Sequence, residues 1–90
     1  MTRMSRATLA QLLVETGAAH HAAYVDSDGY DPEWAAWYAP FLQARIGEGL
    51  GRAVTRSELT YLLIRAERQQ AAEGDTGPWP EYYASVLLEG

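Results

Sequence analysis

Two stretches of this chain repeat one another, and that repetition limits the folds open to it more than any other feature. Ser5-Arg6-Ala7-Thr8-Leu9-Ala10-Gln11-Leu12-Leu13-Val14 and Thr55-Arg56-Ser57-Glu58-Leu59-Thr60-Tyr61-Leu62-Leu63-Ile64 share a hydroxyl residue, an arginine and L-x-x-L-L in register. After each comes W-x-x-[WY]-Y-A, as Trp34-Ala35-Ala36-Trp37-Tyr38-Ala39 and as Trp79-Pro80-Glu81-Tyr82-Tyr83-Ala84. L-x-x-L-L alone can recur between any two amphipathic helices, but the same second motif following it both times is hard to obtain by coincidence. The chain is therefore read as one domain over 1–90 in which a helical hairpin is written twice, over 5–46 and 55–88.

Apolar residues recur at helical spacing and never alternate as a strand requires. The expected fold is all-α, a four-helix bundle of two tandem-duplicated hairpins with helices at about 5–24, 32–46, 55–72 and 79–88. Ser5 can cap the first helix, whose inner face should carry Leu9, Leu12, Leu13, Thr16, His20, Ala23 and Tyr24. Asp26-Ser27-Asp28-Gly29-Tyr30 is a turn, and Asp31-Pro32-Glu33 supplies an N-cap, a first-turn proline and an acid at the positive end of the helix dipole. Gly47 should stop the second helix and Gly47-Glu48-Gly49-Leu50-Gly51 should form a flexible joint. Thr55-x-x-Glu58 is a capping box for the third. Trp34, Trp37, Tyr38, Phe41 and Leu42 on the second helix, with Trp79, Tyr82, Tyr83, Val86 and Leu87 on the fourth, are expected to form the core, because aromatic rings bury the most apolar area.

Composition narrows the function classes. All seven basic residues are arginine, twelve acids leave a net charge of −5, and no broad positive field exists to hold a phosphate backbone. Nucleic acid is therefore not expected as a partner. Without lysine there is no Schiff-base or phosphate-loop lysine, and without cysteine no disulfide, thiolate nucleophile or cysteine zinc site. No run approaches the roughly 18–20 apolar residues of a membrane span, and the start of the chain does not read as a signal peptide. The expectation is a soluble cytoplasmic protein with no membrane partner and no cofactor.

Several motifs fail closer inspection. The acidic turn does not fit a twelve-residue calcium loop, since placing Gly29 sixth puts Tyr24 first and Ala35 last, where carboxylates belong. His20 and His21 form no H-x-x-x-H or E-x-x-H pair, so no metal site is assigned. Gly47-x-Gly49-x-Gly51 follows a helix and lacks the last glycine of a dinucleotide loop. The joint with Arg52, Arg56, Arg65 and Arg68 is too long for a helix-turn-helix. Pro40 should kink the second helix by removing a hydrogen bond to Ala36.

One position carries chemistry. His20 falls about 20° from Leu9 around the helix, in the middle of the apolar stripe, while His21 lies roughly 100° away on the surface. Its counterpart in the second unit is Gln70. A buried imidazole must find a partner, and a tyrosine hydroxyl or Gln70 across the bundle are the expected ones. Two functions follow. One is a binding module that uses its aromatic surface, with the Arg65, Glu67 and Arg68 face of the third helix, to form a homodimer or dock a protein partner. The other is a pocket for a small apolar or aromatic ligand, walled by Trp34, Trp37, Tyr38, Trp79, Tyr82 and Tyr83, with Gln70, His20 and Tyr24 as polar groups. Catalysis, if any, would be proton transfer by His20 oriented by Tyr24.

Overall fold

A computed structural model describes residues 3–90, so Met1 and Thr2 of the expected 1–90 domain lie outside the described residues. Four α-helices follow one another: α1 Arg6–Ala23, α2 Trp34–Ile46, α3 Arg56–Glu73 and α4 Trp79–Glu89, with one turn of 3-10 helix at Val25–Ser27. The described residues contain no strand. The helices form a four-helix bundle in which α1 packs chiefly on α4 and α2 on α3, while α3 with α4 and α1 with α2 complete the ring. Exchanging α1 with α3 and α2 with α4 maps each principal pairing onto the other. The connections differ, however, residues 24–33 joining the first two helices and residues 74–78 the last two. None of the described helices is long and apolar enough to cross a membrane.

Helix ends follow local chemistry. The Ser5 hydroxyl accepts from the Thr8 amide at 3.1 Å. The Thr55 hydroxyl accepts from the Glu58 amide at 3.0 Å and the Glu58 carboxylate accepts in return from the Thr55 amide at 3.3 Å, so the capping box is closed. Hydrogen bonding from Thr55, reinforced by Arg52 at 2.7 Å, holds the Glu58 carboxyl below its ordinary pKa. Thr55→Ala is expected to cost about 1 kcal/mol and Thr55→Ser almost nothing, read from urea denaturation midpoints. Equal stabilities of the alanine and serine variants would show that the cap contributes nothing.

Three expectations need correction. The start of α2 lies at Trp34 rather than Pro32, because one Asp31 oxygen accepts from the Glu33 amide at 3.0 Å in a local turn while the other is drawn away to α1. The glycine joint is tied down rather than loose: Leu50 and Val54 are buried, the Val54 carbonyl accepts from the Gln43 side chain at 2.9 Å, and the Gly49 carbonyl from the Met4 amide at 2.6 Å. The core is aliphatic, not aromatic. Its fully buried large side chains include Leu9, Leu13, Leu42, Leu59, Leu63 and Leu87, whereas Tyr83, 8% exposed, is the one ring counted in the core of the described residues. On α2 the buried line is Ala35, Ala39, Leu42 and Ile46, and Trp34, Trp37, Tyr38 and Phe41 flank it half-buried. Alanines let two helix backbones approach closely, and bulky rings at the same seam would hold them apart. On α1 the stripe holds through His20, but Ala23 is exposed. Helix α2 runs on through Pro40 to Ile46.

Candidate functional site

Rings from the flank of the core gather at one end of the bundle, together with Tyr83 of the core itself. The last turns of α1 supply His20, the following connection returns to place Tyr30 and Asp31, the first turns of α2 supply Trp34 and Tyr38, and the start of α4 supplies Trp79 and Tyr83. Between them lies a solvent-open cleft of about 370 Å³ that Glu67 of α3 also borders. Gly17 eases the approach of Tyr38 to α1. A Cβ there would stand 3.2 Å from the Tyr38 hydroxyl oxygen, a tight contact, and 3.6 Å from the Trp79 ring, an ordinary one, so the bare backbone gives room chiefly to Tyr38.

His20 and Asp31 form the polar floor. Their side chains are only 7% and 8% exposed, and His20 Nε2 stands 3.0 Å from Asp31 Oδ2. The hydrogen bond from His20 is the main reason the Asp31 carboxyl is held below the ordinary carboxylate range, with burial opposing it and the Glu33 amide assisting. Asp31 is therefore ionised at neutral pH and can only accept, which assigns the proton to His20 Nε2 and, in the neutral ring, the lone pair to Nδ1. Tyr24 stacks on the imidazole, with centroids 4.7 Å apart and planes at 23°, while Trp37 meets it edge-on at 5.2 Å and Tyr38 tilts against it at 5.5 Å. The ring is thus held on three sides and by a charge-assisted bond, which fixes its tautomer and orientation.

The phenols around the floor are neutral. Burial pushes the Tyr83 hydroxyl up to about 12, helped by the charge of Glu67, and burial also raises Tyr38. Desolvation and the nearby Asp31 charge raise Tyr24.

The expected site residues divide. Trp34, Tyr38, Trp79 and Tyr83 come together with His20 around the cleft. Tyr24 and Trp37 hold the imidazole from outside the lining, Trp37 also stacking on Phe41 at 5.7 Å. Tyr82 turns away, its hydroxyl donating to Glu73 at 2.9 Å. Gln70 donates to the Thr76 hydroxyl at 2.9 Å and is not the partner of His20, nor is a tyrosine hydroxyl; a carboxylate eleven residues along the chain takes that role. Asp31 was legible only as a helix cap, and Tyr30, Glu67 and Gly17 carried no sequence signal linking them to the cleft. His21 is on the surface opposite Asp28 at 3.4 Å. Among the described residues no three His, Asp or Glu side chains converge as a metal-ligand set.

Searches with protein-family models, curated proteins and solved structures return no match to this chain.

Proposed function

We propose that the chain is a small acidic binding module whose recognition surface is the aromatic cleft enclosed by α1, α2 and α4. One observation carries this reading: ring surface beyond what the aliphatic core needs is gathered around an opening to solvent. Leucines and alanines make up most of the core, Tyr83 belongs to it and Trp34 and Tyr38 pack on its edge, yet all three also border an open cleft with Trp79, which is still 37% exposed. Ring surface left facing water forgoes burial that would stabilise the fold, and such surfaces mark sites that bind. A mixed lining of aromatic walls and a few oriented polar groups suits a small ligand, and the same rings could serve a protein partner or a second copy.

The test uses indole as an aromatic probe, followed through the indole N–H resonances of the three tryptophans. Concentration-dependent shifts of Trp34 and Trp79 are expected. Shifts confined to other parts of the molecule, or none up to the solubility of the probe, would sink the reading. Sedimentation at several concentrations separates the uses of the surface: a dimer that dissociates when Trp79→Ser is introduced assigns the rings to self-association instead.

A second reading rests on the His20–Asp31 pair. A carboxylate that orients an imidazole of known tautomer is the arrangement of a general base, and proton transfer by His20 is the reaction it could support.

A further inference from the structure

The cleft lining joins ring faces to negative charge. It includes the carboxylates of Asp31 and Glu67 and no arginine, its one basic side chain being His20, which is bonded to Asp31, and the chain has no lysine at all. Trp34 meets Tyr38 at 5.0 Å and 84°, Trp79 meets Tyr83 at 5.3 Å and 79°, and Trp34 lies 6.2 Å from Tyr83. Near-perpendicular pairs give the cleft ring walls in more than one orientation, and each ring face carries the negative lobe of its quadrupole. Exposed Glu67 adds a charge of the same sign, Asp31 adds a second that is partly offset by its bonds from His20 and the Glu33 amide, and the whole chain carries −5. A carboxylate or phosphate ligand would be repelled here, whereas a cation would meet attraction from walls and floor together.

We infer that the cleft is a site for a small organic cation, a free solute bearing a trimethylammonium group, held by the faces of Trp34, Tyr38, Trp79 and Tyr83 with Asp31 and Glu67 as counter-charges. This narrows the reading of the cleft as the recognition surface and rests on it. An alkylated ammonium has no N–H to satisfy and sheds water easily, so ring faces can replace its hydration. A metal ion needs several convergent ligands, which these two carboxylates do not supply. At about 370 Å³ the cleft is at the small end of the roughly 300–1,000 Å³ range of ligand pockets, room enough for a small solute.

The experiment titrates the full chain with choline and with its uncharged isostere 3,3-dimethylbutan-1-ol, following tryptophan fluorescence and the indole N–H resonances. Choline is expected to bind at least about tenfold more tightly, the difference arising from cation–π and charge terms that the isostere lacks. Glu67→Gln, a change at an exposed side chain, should weaken choline about threefold and leave the isostere unchanged. Equal binding of choline and isostere, or no choline binding where indole still binds, overturns the cation while leaving the aromatic site standing. If indole also fails, both fall. Tighter binding of a trimethyllysine peptide, or of phosphatidylcholine vesicles, than of choline overturns the assignment to a free solute.

Discussion

Leu63→Ala is expected to destabilise the protein by roughly 3–5 kcal/mol, a large part of the roughly 5–15 kcal/mol that holds a domain together. Leu63 is fully buried near the middle of α3, among Leu9, Leu13, Leu42, Leu59 and Leu87 in the aliphatic core. Removing its isobutyl group loses the transfer energy and leaves a void that backbone packing cannot close. Tyr61→Ala on the same helix is the control, since Tyr61 is 64% exposed and its loss should fall within about 0.5 kcal/mol. Urea denaturation followed by circular dichroism measures both. A Leu63 variant no less stable than the Tyr61 variant would mean that the bundle is not closed around the leucine line.

Replacing His20 tests the site. His20→Ala should cost about 2–4 kcal/mol, because the imidazole fills a space bounded by Tyr24, Trp37 and Tyr38 and its removal strands the Asp31 carboxylate. His20→Gln retains a donor and should keep the fold. If it abolishes binding of choline and indole, the imidazole serves the ligand; if it lowers stability and leaves binding intact, its role is packing. Acid titration reports the same bond through Asp31. A carboxyl with its folded pKa depressed contributes stability that is fully present above the unfolded value near 3.8 and lost as pH falls through the lower folded value. The wild-type chain should therefore lose stability on acidification below about pH 4, and Asp31→Asn should show a shallower loss. Parallel acid curves for the two proteins would show that the pair does not form in solution.

The helices were legible because their signals are local. Ser5 with Thr8 and Thr55 with Glu58 bond within one turn, Gly47 and Gly74 adopt positive φ where helices end, and the leucine stripes of α1 and α3 have only one way to face inward. On α2 two stripes compete. Trp34, Tyr38 and Phe41 form one helical line and Ala35, Ala39, Leu42 and Ile46 another, and periodicity alone favours the more hydrophobic rings. The alanine line lies inside, on the helix that has α3 as its main packing partner, and small side chains suit such a seam. In the site, the aromatic walls could be anticipated from composition and spacing. The partner of His20 could not, because Asp31 also satisfies every requirement of an ordinary turn and reaches the imidazole only after the connection after α1 has folded back.

By itself the sequence determined four helices, their ends except the start of α2, the burial of His20 and a pool of aromatic residues, since each depends on interactions spanning a turn or two of backbone. Only the tertiary structure decided which stripe of α2 went inside, that all the expected core rings but Tyr83 stay outside the core while several wall a cleft, and that a carboxylate holds the imidazole. Those outcomes depend on how closely helix backbones can approach, which is set by pairs of side chains that meet only when the bundle closes.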